Sequence, residues 1–354
     1  MKKTLIAVAA LSAMAASAMA ANVTVSGVVD LGLNFKNVKP ATGDTTRTFT
    51  MNAGQNSGSR VKFTGSEDLG NGVEVGFQLE NGFNADDGTF AQSGRFFGRE
   101  SRLYVKTAFG TIHAGRFGAL EAGTGSVSIF GGDVAFGTGW GDTIMKTSNI
   151  LEGLTTRYDN SVAYQSPTFA GATLYLAHSF KNDSKSDGVE GRPTADQYNG
   201  VGLKYANGPF NAAFVASQQN YKNTAANIKN SKAFSLTAAY NFGVCKVAAE
   251  GQYFNMGRTA AEALNKGWGA IVSVTAPVAG GNVLASVGYK DAENIDNSNV
   301  KNKVWNAGLA YTYSLSKRTT LYAAAGYTED KNETATSSAK EKTTEVVAGL
   351  VHKF

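Results

Sequence analysis

The chain has 354 residues, with 41 Gly, 5 Pro, one Cys, 20 Phe and 14 Tyr, and its 33 Lys plus Arg against 28 Asp plus Glu give a formal charge of +5. One cysteine excludes an internal disulfide framework, the glycines follow no three-residue period, and the aromatic content is too high for a disordered chain. Past the N-terminus no uninterrupted apolar run reaches the ~18 residues of a membrane helix, which excludes a polytopic helical membrane protein.

Lys2 and Lys3 precede an apolar stretch from Leu5 to Ala16, and Ala18-Met19-Ala20 supplies a small-x-small cleavage signal. Residues 1–20 therefore read as a cleaved secretory signal peptide, leaving residues 21–354 as one β domain. Export places Cys245 in an oxidising compartment with no partner, so the fold must hold without staples. Cys245 lies in an expected strand and reads as a small filler.

From Ala21 onward the chain alternates apolar and small or polar residues in segments of roughly ten. Val73, Val75, Phe77 and Leu79 alternate with Glu74, Gly76, Gln78 and Glu80; the pattern recurs in 283–289, 305–314 and 321–327. Short connectors (67–72, 108–110, 167–171, 207–209, 242–243, 277–281, 315–318) alternate with long polar ones (35–57, 84–96, 118–156, 181–197, 220–230, 256–265, 290–303, 329–342). Seven short and eight long connections imply 16 strands. One tight end and one elaborated end are what transmembrane barrels show, with short periplasmic turns and longer external loops. A sheet in lipid must also close, because open edges leave backbone groups unpaired. The expectation is an all-β fold, a transmembrane antiparallel β-barrel. Aromatics near strand ends (Phe83, Tyr164, Phe180, Tyr205, Tyr240, Phe242, Trp268, Tyr289, Tyr313, Tyr327) fit interfacial girdles. The last strand puts Val346, Ala348, Leu350, His352 and Phe354 on one face, ending on an aromatic. Such an end looks like the assembly signal of bacterial outer-membrane barrels.

Several segments carry a resemblance: Val25-Ser26-Gly27-Val28-Val29-Asp30, residues 59–72, Phe97-Gly98-Arg99-Glu100, Phe109-Gly110-Thr111 with Gly115-Arg116, residues 158–164, Leu315-Ser316-Lys317-Arg318-Thr319, and the terminal Gly349-Leu350-Val351-His352-Lys353-Phe354. In this order the chain resembles the general porins of Gram-negative outer membranes, specifically the trimeric sixteen-stranded porins of the β-proteobacterial type. The resemblance covers the whole mature chain. It implies a homotrimer among outer-membrane lipid and lipopolysaccharide, assembled by the barrel-assembly machinery. It also implies that the third loop folds into the barrel, where Phe130-Gly131-Gly132-Asp133 resembles a constriction motif.

A sixteen-strand barrel encloses water, and a basic side chain on its lipid face near the midplane costs ~2–4 kcal/mol, so basic residues inside strands should point inward. With Val61, Phe63 and Gly65 outward, Arg60 and Lys62 face the lumen; with Val162 and Tyr164 outward, Arg157, Asp159 and Ser161 do. Arg102 is inward by parity. Arg99 shares parity with Leu103 and Val105, so it turns inward only if a bulge or a late strand start intervenes. Arg116 shares parity with Ile112 and Ala114 where the chain leaves for the long loop. The resemblance implies a basic ladder at positions matching Arg60, Arg99 and Arg157, with Arg102 and Arg116 as further members; the alternative is that some brace loops at the rim. Asp133, then Glu121 and Asp142, are the candidate acids of the third loop. The apolar content of that loop (Val127, Ile129, Phe130, Val134, Phe136, Trp140) argues for packing on the wall, and loops this long are usually functional or disordered.

The expected function is passive diffusion of small hydrophilic solutes and ions with anion preference; the rivals are a substrate-specific porin for phosphate or an organic anion, and a non-channel structural or adhesin barrel. An enzyme is not expected: the histidines are only His113, His178 and His352, with no oriented nucleophile set. His178 falls on the apolar parity of Leu174-Tyr175-Leu176-Ala177-His178 and so faces lipid. Metal-ligand spacing and phosphate-cradling glycine loops are missing, so no metal or cofactor is expected. The dispersed basic residues form no nucleic-acid stripe.

Overall fold

The computed structural model describes residues 23–145, 147–153, 156–222, 230–255 and 266–354. The signal peptide expected over residues 1–20, the whole connector 256–265 and much of 220–230 lie outside the described residues.

The strands are β1 (Thr24–Lys39), β2 (Thr46–Ala53), β3 (Arg60–Asp68), β4 (Glu74–Gly82), β5 (Glu100–Thr107), β6 (Gly110–Gly118), β7 (Arg157–Gln165), β8 (Ala172–Ser179), β9 (Gln197–Asn207), β10 (Phe210–Asn220), β11 (Ser231–Asn241), β12 (Lys246–Asn255), β13 (Lys266–Val278), β14 (Gly281–Glu293), β15 (Lys301–Ser314), β16 (Thr319–Glu333) and β17 (Ser338–Lys353). From β3 onward each pairs antiparallel with the next. β1 pairs with β17 across twelve residues, from Val28↔Lys353 to Lys39↔Lys342, and so closes the sheet. β2 pairs with Leu31–Val38 of β1 and β3 with Thr24–Val28, so these two segments are successive pieces of one stave and the barrel has 16. The break between them is held by Asp30, whose Oδ2 accepts the amide hydrogens of Asn56 (2.7 Å) and Ser57 (2.5 Å).

Closure continues to the last residue. Gly27 and Phe354 exchange two backbone hydrogen bonds (3.0 and 3.1 Å), and the Phe354 ring occupies the space a Gly27 side chain would need, 2.3 Å from where its Cβ would lie.

Alternation separates two environments one residue apart. On β15, Trp305 and Leu309 are 43% and 57% exposed, whereas Val304 and Asn306 are buried. The same apolar exposure circles the barrel through Leu203, Leu236, Val272 and Val287. A water-bathed surface does not carry so continuous an apolar band; a lipid-bathed one requires it. Aromatic pairs lie on this band towards its two ends, Trp268 with Tyr289 (5.5 Å) and Trp305 with Tyr327 (5.0 Å) on the long-loop side, Tyr240 with Phe242 (4.6 Å) on the short-turn side. Phe83 differs: it lies past the end of β4, bridged to Phe90 of the following loop.

Three polar stretches read as long loops are largely strand. β1 runs on to Lys39 and β2 starts at Thr46; β14 reaches Glu293, β16 reaches Glu333 and β17 starts at Ser338. Their charges pair across strands, Lys266 with Glu293 (3.4 Å), Lys303 with Glu333 (3.7 Å) and Lys340 with Glu329 (2.8 Å). Polarity there marks water outside the membrane, not loss of pairing.

Leu309→Arg, near the middle of an outward face, should lower barrel stability by ~2–4 kcal/mol in reversible urea unfolding in micelles. An unchanged midpoint would contradict the assignment of that face to lipid.

Candidate functional site

The described residues of the connection from β6 to β7, 119–145 and 147–153, lie against the inner wall. Ala135 donates its amide hydrogen to Ser273 Oγ (3.0 Å), and Glu152 and Gln252 exchange hydrogen bonds (2.6 and 3.0 Å). The strongest tie is Glu345, an inward residue of β17 that is fully buried. Its carboxylate accepts the amide hydrogens of Asp142 (2.8 Å), Thr143 (2.5 Å) and Ile144 (2.9 Å), the Thr143 hydroxyl (2.6 Å) and the Asn34 amide. Leu120, Val127, Ile144, Ile150 and Leu151 of the loop are wholly buried. Strand glycines make the space: a Cβ on Gly269 would lie 2.0 Å from the Ile150 carbonyl, and one on Gly308 2.4 Å from Met145. Trp140 of the loop packs edge-on against Tyr322 of β16 (5.6 Å).

Between this loop and the inner faces of β3, β4 and β5 lies a polar cavity of about 590 Å³. Its wall carries Arg60, Lys62, Arg99 and Arg157 against Glu80 and Glu100, and the loop side contributes Thr124, Gly125 and Ser126. Arg60 and Lys62 arrive by alternation along β3, with Lys62 directly across from Glu80 of β4. Arg99 turns inward because β5 begins only at Glu100, and its Nε lies 2.5 Å from Glu80 Oε1. Arg60 is 3.9 Å from the same carboxylate and donates to the Gly58 carbonyl (2.7 Å). Arg157 donates to Thr124 Oγ1 (2.9 Å), joining the wall to the loop. Four cationic groups thus face two carboxylates, and Glu100 is already engaged from behind by Arg102 at 2.8 Å.

Five of the residues grouped with this site from sequence lie elsewhere. Arg102 is buried behind the cavity, held between Glu100, His113 Nδ1 (2.6 Å) and the Tyr104 ring (4.8 Å), because inward parity in β5 puts it among other side chains and not at the surface. Arg116 is re-aimed by a bulge at Gly115/Phe117 and bonds Asp159 Oδ1 (2.5 Å) and the Gly98 carbonyl (2.9 Å), so it braces strands and loop. Glu121 is buried, its carboxylate accepting from Tyr198 and from Ser217 (3.1 Å); it anchors the loop and faces no water. Asp142 lies 2.8 Å from Lys36, away from the arginines. Asp133 ion-pairs with Lys246 of β12 (3.0 Å), also outside this cavity. Sequence reasoning missed Glu80, Glu100 and Glu345 as partners. The signal was present: Glu80 sits on the polar parity of its strand, and Glu345 precedes the outward Val346.

Glu345→Ala leaves buried donors unanswered, a loss of roughly 3 kcal/mol; hydrogen exchange at the amides of residues 142–144 should accelerate strongly, and unchanged protection would contradict the tie. Burial pushes the Glu121 carboxyl above its ordinary 4.5, against hydrogen bonds from Tyr198 and Ser217 that favour ionisation. A folded value above the unfolded one means that this contribution is full below pH 4.5 and is lost as pH rises through the folded value. Protease nicking within residues 119–153 should therefore increase from acid to neutral pH, and Glu121→Gln should flatten the profile; a flat wild-type profile would contradict the assignment.

Known proteins share this architecture and sequence. An outer membrane porin protein of Bordetella pertussis is 34% identical over the full length of both chains. Outer membrane porin protein 32 of Delftia acidovorans is 29% identical, again over the full length of both. Among solved structures, an anion-selective porin from Comamonas acidovorans superposes with a TM-score of 0.73 at 26% identity, covering 94% of this chain and 100% of that one. OmpT of Vibrio cholerae in its trimer form shares the fold, with a TM-score of 0.64 at 15% identity over 95% of this chain and 100% of that one. With the pattern of the Gram-negative porins matched over residues 7–333, the chain belongs to that family, an outer-membrane β-barrel channel and not an enzyme.

Proposed function

We propose that the protein passes small hydrophilic solutes and ions by passive diffusion, with preference for anions, and that the third loop narrows the lumen opposite a basic wall. The observation that carries the reading is the cavity whose described lining sets four cationic side chains, Arg60, Lys62, Arg99 and Arg157, with two carboxylates, Glu80 and Glu100. Charged walls of this kind select ions. Screening extends over ~8 Å at physiological salt, so a charge surplus on one side of a narrow passage acts on every ion that crosses it. The Comamonas neighbour, described as anion-selective, is consistent with this reading.

The working form is a homotrimer, by analogy with the solved trimeric relative, embedded in outer-membrane lipid and lipopolysaccharide. Residues 1–20 direct export. Phe354, whose ring seats on Gly27 at the closing seam, serves as the signal read by the barrel-assembly machinery.

In planar bilayers under a salt gradient, Arg60→Glu and Arg157→Glu should each lower the anion-to-cation permeability ratio, by a factor of about two or more at low ionic strength and less at 1 M salt. Ratios identical to wild type would remove these residues from the selectivity mechanism. Saturable block by one solute would replace general diffusion with a substrate-specific channel.

A further inference from the structure

Behind the basic cavity lies an arginine that a passing ion does not touch. Glu100 and Arg102 share the inward face of β5 and are 2% and 8% exposed. Glu100 lines the cavity; Arg102 is not among its lining residues. Arg102 Nε donates to Glu100 Oε1 (2.8 Å). The other carboxylate oxygen, Oε2, accepts from Gln78 Nε2 (3.1 Å) and from the Ser126 amide of the third loop (3.2 Å). One carboxylate therefore stands between the loop, the cavity and a buried cation.

Two further contacts fix that cation. A terminal nitrogen of Arg102 lies 2.6 Å from His113 Nδ1, and the guanidinium carbon lies 4.8 Å from the centre of the Tyr104 ring. A guanidinium only donates, so Nδ1 is the accepting nitrogen and the ring hydrogen of His113 sits on Nε2. Tyr104 and His113 stand opposite each other in the β5–β6 register, and the Tyr104 hydroxyl donates to Glu74 Oε1 (2.9 Å). The two strands thus form a socket that aims Arg102 at Glu100. The consequence is electrostatic. Glu80 offsets Arg99 and Arg60 from within the cavity, whereas Glu100 is offset from outside it. A cation held this close, away from water, cancels much of a carboxylate's field. With Arg102 gone, the charge of Glu100 would act on Arg157, which lines the same cavity, and the positive surplus there would shrink.

We infer that Arg102, held by His113, is a positioning residue for ion selectivity: it withholds the charge of Glu100 from the passage and so sets the surplus that anions meet. The inference deepens the anion reading above and rests on it.

Reversal potentials of the full mature protein in planar bilayers test it. At low ionic strength Arg102→Met should lower the anion-to-cation permeability ratio about twofold. Adding Glu100→Gln to that variant should restore the wild-type ratio or exceed it, because Arg102 acts through that carboxylate. His113→Leu should lower the ratio by less than Arg102→Met does. His113→Asn, whose side-chain carbonyl can still accept from Arg102, should keep it. An unchanged ratio in Arg102→Met, or one lowered equally with and without Glu100, would overturn the proposal, since Arg102 would then act through packing or its own field. Where Arg102→Met fails to assemble, the His113 variants decide: equal ratios for Leu and Asn would overturn it. Cation preference in the wild type would defeat the anion reading and this inference together, whereas loss of the Arg102 effect alone leaves the anion reading standing.

Discussion

A peptide group in hydrocarbon has no water to bond, and that constraint governs the whole chain. It forbids a free edge, so the first strand must find the last. The seam at Val28↔Lys353, extended by the Gly27–Phe354 backbone pair, is where a linear sequence becomes a cylinder. Once closed, each strand stands between lipid and lumen, and every second residue answers to a different solvent. The exposed Leu309 and the buried Asn306 of one strand are stable for opposite reasons.

The interior inverts the usual logic of a core. In a compact soluble domain the centre is apolar and the charges lie outside. Here the wall of the lumen is polar, and the buried apolar cluster forms where a loop, with Leu120, Phe130, Ile144 and Leu151, is laid against wall residues such as Ile271, Val304 and Tyr322. Such a loop stays put only if its backbone finds partners, and Glu345, Gln252 and Ser273 supply them from the wall. Gly269 and Gly308 let the backbones approach, and the loop in turn leaves Thr124 beside Arg157. The charge pattern follows from the same arrangement. Glu80 binds Arg99 closely and Arg60 loosely, so part of the positive surplus stays uncommitted in the cavity.

Strand existence, the seven tight turns and the inward direction of Arg60, Lys62 and Arg157 were legible because alternation is a local property, written every two residues. Arg99 and Arg116 were legible only as a condition, since a late strand start and the bulge at Gly115/Phe117 change parity without changing the residues around them. The extended hairpins beyond Lys36, Lys290 and Glu329 were hidden, because cross-strand ion pairs make a polar strand look like a loop. The third loop was least legible. Asp133, Glu121 and Asp142 are equally acidic in sequence, yet one pairs with Lys246, one is buried beside Tyr198 and one reaches Lys36. Which acid faces which strand depends on contacts 77 to 113 residues apart, and no local pattern carries that.

The zero-current potential of wild-type channels in a planar bilayer, under a tenfold potassium chloride gradient, tests the central claim most directly. A potential of the sign set by chloride, shrinking as the mean salt concentration rises and the Debye length contracts, is what a surplus of fixed positive charge in a narrow watery passage predicts. A potential set by potassium, or one indifferent to salt, would contradict it.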